Sequence, residues 1–460
     1  MKIQLIKPRK RWLALGVMSL MVLFISATTF IGCAAEEDEV VAGVTVNSAA
    51  DIAQTSDADY DNNENGLVTI TTLKGWIDDW ATNKPTDVTG NLVILTTGAG
   101  ETPREYLDDT NTGVYSYLVA STDYAMDRSS GPITTRSMVP DGASVDAFLT
   151  KFAIDPAADM VIVVMGTGSN GGNMGIGRVW YMLRYWGMAK ENLAILNGGL
   201  DYWTDANGGV DDTYFKTTAT DAPANGTASV KSLMDDNTAL QISLGELIDW
   251  VDGTTTPTDG YVIWDVRTSS EYDGSKIKGG SIFEGHIDGA VHFGYAALLD
   301  STTGYSYKDK ATLATLIGND APTADTVETA DTTGIGYSAA DGTAGKTIVS
   351  HCKTSWRAMV SAIASGVVLG YPHRLYDGAW AEWGDLSNSV DANGDTGLAA
   401  DSVWLTDTDA RSTNVTYPTG TTDDGEGNLV SDNTGEIPSA FNDTAANATA
   451  IIDADMAYKE

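Results

Sequence analysis

From Leu67 onward the chain alternates short, largely apolar runs with stretches of helical periodicity. Leu67-Val68-Thr69-Ile70, Leu92-Val93-Ile94-Leu95, Val161-Ile162-Val163-Val164 and Leu193-Ala194-Ile195-Leu196 have strand length and no regular polar alternation. Such runs predict strands covered on both faces, as in a parallel sheet. Leu73 to Trp80 and Arg178 to Trp186 read as the intervening helices. The second half repeats the plan, with strands at Val262-Ile263-Trp264 and Thr347-Ile348-Val349 and a helix from Arg357 to Leu369. Both halves end alike. Leu196-Asn197-Gly198-Gly199-Leu200-Asp201-Tyr202-Trp203 resembles Tyr376-Asp377-Gly378-Ala379-Trp380-Ala381-Glu382-Trp383. Each is a strand end, a glycine turn that needs glycine's backbone freedom, and a tryptophan to plug the layer beneath. The expectation is an α/β protein of two domains from an internal duplication, each a parallel sheet flanked by helices. They would span 66–217 and 237–400, with the boundary in the Ala/Thr/Asn/Gly-rich stretch 218–236. A length of 460 residues suits two domains plus appendages.

The appendages are visible at both ends. Lys2, Lys7, Arg9, Lys10 and Arg11 precede an apolar run from Trp12 to Ala27, and Phe30-Ile31-Gly32-Cys33 follows. A basic flank, a short apolar stretch and a small-residue cleavage site make an export signal over 1–32. The run is shorter than the roughly 20 residues of a spanning helix. Its ending resembles the bacterial lipobox, which implies that Cys33 is acylated and holds the protein to a lipid membrane of the cell envelope. Ala34, in place of aspartate, favours the outer membrane. Residues 33–65 are acidic and read as a flexible tether. Residues 401–460 form an acidic Thr/Asp/Gly-rich tail, much of which, over 405–445, reads as irregular and as wrapping or trailing the second domain. Asp391, Asn393 and Asp395 alternate like a calcium loop, but Thr396 stands where glycine is needed and no glutamate follows at the twelfth position. A solvated acidic loop is the simpler reading.

Charge narrows the partners. Of 27 basic residues five lie in the first 32, where none of the 63 acids does, leaving the remainder with a net charge of −41. Nucleic acid is excluded as a partner by such a surface. Any anion site must be local, built from helix N-termini, backbone amides and a few basic side chains. The chain has two cysteines, Cys33 and Cys352. If Cys33 is acylated, Cys352 is an unpaired thiol in an exported protein, either buried and inert or reactive.

Its surroundings favour reactivity. Cys352-Lys353-Thr354-Ser355-Trp356-Arg357 connects a strand directly to a helix, next to His351. Backbone N–H groups and the positive end of a helix dipole favour thiolate over thiol, and Lys353 and Arg357 add positive charge. A tyrosine phosphatase loop would hold one residue more between cysteine and arginine. The six-residue loop resembles that of the rhodanese family. Asp265-Val266-Arg267 with Glu271-Tyr272 resembles that family's first signature, and Gly285-His286-Ile287-Asp288-Gly289-Ala290-Val291-His292 its second, with Asp288 where proline is usual. In the first half Gly131-Pro132-Ile133 is a degenerate counterpart, and Met165 to Gly172 occupies the loop position without a cysteine. The resemblance covers roughly 66–390 and is to the two-domain thiosulfate and mercaptopyruvate sulfurtransferases.

That resemblance implies two rhodanese-like domains, the first inactive, and a sulfurtransferase that carries sulfur as a persulfide on Cys352. Lys353, Thr354, Ser355, Trp356 and Arg357 would bind substrate, with Asp265, Arg267 and His286 as structural support. Arg357 would steer the anion or brace the loop against Asp265. Small sulfur-containing anions and thiol acceptors are the implied partners, besides the lipid membrane and an envelope protein; no cofactor is implied. The sequence departs at Thr354, where vertebrate-type thiosulfate enzymes have a basic residue, and at Glu271, where both two-domain types place a substrate-holding arginine. Thr354 and Ser355 also suit helix caps. No Cys/His spacing suggests a metal site, and His373 reads as a surface loop residue. The glycine-rich run Gly166 to Gly177 lacks the phosphate-loop ending. Trp180, Trp186, Trp380 and Trp383 read as core and interface residues. Two other readings stay open: an envelope protein for thiol redox or chalcogen-oxyanion handling, and a non-catalytic rhodanese-fold binding module.

Overall fold

The computed structural model describes residues 44–60, 66–98, 106–129, 134–218, 226–251, 253–272, 286–318, 334–337, 345–387 and 449–460. Residues 1–32 and Cys33, Gly131-Pro132-Ile133, the Asp391–Asp395 loop and most of the tail lie outside the described residues.

The first half forms a five-stranded, wholly parallel sheet. Its strands are β1 (Leu67–Val68), β2 (Leu92–Thr97), β3 (Val114–Val119), β4 (Met160–Met165) and β5 (Leu193–Leu196), in the order β1-β5-β4-β2-β3. Helices α1 (Ile70–Asp78), α2 (Gly142–Phe152) and α3 (Asn170–Tyr185) connect them. The second half has a four-stranded parallel sheet of β6 (Tyr261–Asp265), β7 (Val291–His292), β8 (Thr347–His351) and β9 (His373–Leu375), in the order β7-β6-β8-β9. Around it lie α4 (Leu244–Val251), α5 (Ala358–Ala362, continued as a π-helix over Ile363–Val368) and α6 (Ala379–Ser387). The central strand orders coincide: β5-β4-β2-β3 matches β9-β8-β6-β7. Where β1 pairs with β5, Gln241 bridges Leu375 in the second half, a fifth strand reduced to one residue.

Alternation along the strands sorts the core into layers. Met160, Ile162 and Val164 of β4 pack outward with Leu73 and Trp76, while Val161, Val163 and Met165 face inward. Ile263 and Val349 pack outward with Trp380 and Trp383; Trp264, Ile348 and Cys352 face inward. The two inward faces share one apolar cluster, with Trp180, Trp186, α3 and α5 between the sheets. Gly177 of α3 explains the close approach: a Cβ there would lie 2.6 Å from the Cβ of Met359 on α5. α3 begins at Asn170, eight residues before the predicted start, because four glycines at 171, 172, 175 and 177 mask a helix that tertiary packing imposes.

Two further expectations are corrected. Residues 44–60 are not a free tether: Thr45–Val46 pairs with Asp235–Asp236, Ile52 is buried, and the Tyr60 hydroxyl donates to the Lys308 carbonyl at 2.6 Å. The stretch 405–445, expected to wrap or trail the second domain, lies outside the described residues. Helix α7 (Ala450–Lys459) docks on the first half, where Asp455 accepts both terminal nitrogens of Arg128 at 2.7 and 2.6 Å and the Tyr185 hydroxyl at 2.8 Å. His373 is no surface residue. It lies buried on β9, with Nε2 2.8 Å from the Ser350 Oγ. Among the described residues no helix is long and apolar enough to cross a membrane.

Burial pushes the His373 pKa down to about 3. The unfolded chain, with an ordinary histidine near 6.5, therefore binds a proton that the folded chain refuses. From this group, stability is complete above about pH 6.5 and falls by about 1.4 kcal/mol per unit as pH drops toward 3. His373→Gln, which keeps a partner for Ser350, is expected to flatten the urea-midpoint profile between pH 6.5 and 4. An unchanged slope would show that His373 is protonated in the folded state.

Candidate active site

Cys352 sits at the carboxyl end of β8, 1 % exposed, at the inner face of the sheet. The loop it opens is stapled to the start of α6. The Trp380 amide donates to the Cys352 carbonyl and the Ala381 amide to the Lys353 carbonyl, both at 2.9 Å. Ser355 is held at φ 55°, a conformation non-glycine residues rarely adopt, and its Oγ donates to the Tyr376 carbonyl at 2.6 Å. Its hydroxyl thus braces the loop, and no side-chain cap bond starts α5. The half-buried Trp356 ring packs on Tyr124 of the first half, centroids 5.8 Å apart. Lys353 is buried and Thr354 half-buried.

Arg357 does brace the loop, but against a different acid from the one expected. Its two terminal nitrogens meet the two carboxylate oxygens of Glu271 at 2.7 Å each, and Cys352 also favours the guanidinium's charge electrostatically. Burial opposes charge on both partners, yet the pairing wins: the Glu271 pKa falls to about 2, and that of Arg357 rises above its ordinary value. Asp265 is taken instead by Arg267, through Nε at 2.9 Å, a terminal nitrogen at 2.6 Å and the backbone amide at 3.0 Å. Burial disfavours the Asp265 charge, but Arg267 outweighs it and holds its pKa below the carboxylate range. Arg267 in turn lies over the Trp380 ring at 4.4 Å. The short loop between Asp265 and Arg267 explains the swap: Arg267, two residues on, reaches Asp265 locally, leaving Arg357 for the acid at the head of the next helical turn.

His351 points Nδ1 at the Cys352 carbonyl at 3.2 Å, and its Nε2 lies 3.8 Å from Asp265. Burial lowers its pKa, so it is neutral at pH 7. His286 stacks on Tyr272 at 3.8 Å with Nδ1 2.9 Å from the Tyr272 carbonyl, and His292 Nε2 meets the Arg267 carbonyl at 2.8 Å. These two histidines order the segments that carry Arg267 and Glu271. Among the described residues no acid, histidine or cysteine group is arranged to hold a metal.

Sequence reasoning missed Tyr295, in the 3-10 turn Tyr295–Leu298 that follows β7 and packs on α5. Its hydroxyl shares the electrostatic surroundings of Arg357, Cys352 and Glu271. Only its place just beyond a strand end marked it. It also missed the pairing of Arg178 on α3 with Asp377 at 2.5 Å, both side chains fully buried.

The first half has the same loop anchoring without the thiol. The Leu200 and Asp201 amides donate to the Met165 and Gly166 carbonyls at 3.0 and 3.1 Å. Leu200 and Asp201 stand in relation to Gly198 as Trp380 and Ala381 do to Gly378, so Met165 is the positional counterpart of Cys352. The Asp201 carboxylate accepts the Gly168 amide at 2.8 Å, and the Gly199 amide donates to the Gly304 carbonyl at 2.9 Å, which fills the space against Gly168.

Residues 246–386 match the rhodanese-like domain. The match contains Glu271, Tyr295, Cys352 and Arg357. The chain is similar to a thiosulfate sulfurtransferase of Azotobacter vinelandii, 29% identical over 199 residues, 43% of this chain and 59% of that protein. It is similar to another from Corynebacterium glutamicum, 26% identical over 265 residues, 55% and 71% of the two chains. The crystal structure of the Tum1 protein of Saccharomyces cerevisiae aligns with a TM-score of 0.49 at 16% identity, over 70% of this chain and 95% of that one.

Proposed function

We propose that the chain is a sulfurtransferase that carries sulfane sulfur on Cys352, with two rhodanese-like domains of which the second is catalytic. One observation carries this reading: Cys352 opens a six-residue strand-to-helix loop that Arg357 closes, with the Arg357 guanidinium fixed by both carboxylate oxygens of Glu271 and its charge favoured by Cys352. A cation held near the sulfur stabilises thiolate and persulfide alike. In the first step the Cys352 thiolate attacks the outer sulfur of a donor. The new S–S bond forms on Sγ, the donor's S–S or C–S bond breaks, and its electron pair leaves with the remainder of the donor. An acceptor thiolate or cyanide then takes the outer sulfur and returns Cys352 to thiolate. Met165 at the counterpart position has no such nucleophile, which supports a single catalytic centre.

The test is intact mass of the protein without residues 1–33 after exposure to 3-mercaptopyruvate or thiosulfate. A gain of about 32 Da, removed by cyanide, is the expected result. No gain with any sulfane donor, from a thiol that alkylates readily, would leave the binding-module reading in its place.

A further inference from the structure

The carboxyl ends of β7, β6 and β8 bring three loops to one edge: Tyr295 follows β7, Glu271 follows β6, and Cys352 to Arg357 follow β8. In parallel α/β sheets this edge is where ligands are bound. Its cations are already matched. Arg267 is held by Asp265, and Arg357 has both terminal nitrogens on Glu271, whose side chain has no exposure while that of Arg357 keeps 13%. With Cys352 as thiolate, its charge and those of the two acids equal those of Lys353, Arg267 and Arg357. Tyr295 adds a neutral donor: burial, opposed by Arg357 and aided by Cys352 and Glu271, raises its pKa above the ordinary tyrosine value.

Building on the reading of Cys352 as the sulfur carrier, we infer that Glu271 is a charge filter, so that this site takes sulfur donors with one negative charge in preference to dianions. A guanidinium presented to solvent without an acid would draw a dianion such as thiosulfate. Here a second negative charge would have to approach against the Glu271 carboxylate. Organic thiosulfonates and hydropersulfides are the class that fits. With methanethiosulfonate the Cys352 thiolate bonds to the outer sulfur, the sulfur–sulfonyl bond breaks, and methanesulfinate leaves with the electron pair. Two anions enter and two remain, one of them the persulfide.

Methanethiosulfonate and thiosulfate differ at one substituent on the same sulfonyl sulfur, methyl against oxyanion, and so isolate charge. The wild-type kcat/KM is expected to favour methanethiosulfonate by tenfold or more, and Glu271→Gln to narrow that ratio at least fivefold by improving thiosulfate. Equal use of both donors by wild type would overturn the inference without any variant being needed. A ratio unchanged in folded Glu271→Gln would overturn the role of that residue. Failure of both compounds to load Cys352, seen as no mass gain, would instead remove the sulfur-carrier reading on which the inference stands.

Discussion

Cys352→Ser is expected to abolish sulfur transfer while leaving the fold intact. In the proposed reaction the thiolate is the nucleophile, and a serine oxygen can neither ionise near neutral pH in this site nor hold sulfur as a persulfide. Loss of a covalent nucleophile commonly lowers turnover by about 10³-fold or more. The substitution changes one buried atom for a smaller one at a position 1 % exposed, so the unfolding free energy should fall by less than about 2 kcal/mol. No other residue offers a rescue, since Cys33 is the chain's remaining cysteine and the first-half counterpart is Met165. Steady-state transfer to cyanide and urea denaturation, run on the same preparation, separate lost chemistry from lost structure. Retained turnover in a folded Cys352→Ser protein would place the reaction elsewhere.

The sheets and the loop were legible because each is written locally. Apolar runs such as Val161 to Val164 and Ile348 to Val349 are buried on both faces, and the Cys352 loop is bounded by a strand and a helix whose patterns are unambiguous. What escaped were decisions made between distant residues. The sequence offers Arg357 two acids, Asp265 and Glu271, and only the local reach of Arg267 to Asp265 settles the choice. His373 follows a proline in a Tyr-Pro-His-Arg string that reads as a loop, yet pairing of β9 with β8 buries it. Helix α7 follows a long Thr/Asp-rich stretch, and its docking depends on Asp455 meeting Arg128, 327 positions away. Gly142 is part of the same fit, because a Cβ there would come within 2.1 Å of the Tyr458 ring. Local composition cannot announce such partners.

Arg178→Met is expected to be the most destabilising single change at the junction of the two halves. Arg178 and Asp377 meet at 2.5 Å with no side-chain exposure; Arg178 also donates to the Ser137 carbonyl, and Asp377 also accepts the Val139 amide at 2.7 Å. Removing one member of a buried pair leaves the other charge without compensation, a loss of about 3–5 kcal/mol. Arg178→Met/Asp377→Leu removes both charges and should recover most of that loss, leaving about 1–3 kcal/mol for the stranded Val139 amide. The order of urea midpoints, single variant below double variant below wild type, is the result to look for. A functional consequence follows from the chain path. Asp377 lies in the turn whose next amides, Trp380 and Ala381, hold the carbonyls of Cys352 and Lys353. The same turn supplies the Tyr376 carbonyl that fixes Ser355. Loss of the ion pair should therefore slow loading of Cys352 even in the folded fraction, and the double variant should recover stability more completely than rate. Equal recovery of both would mean that the ion pair supports the junction alone and that the loop is positioned without it.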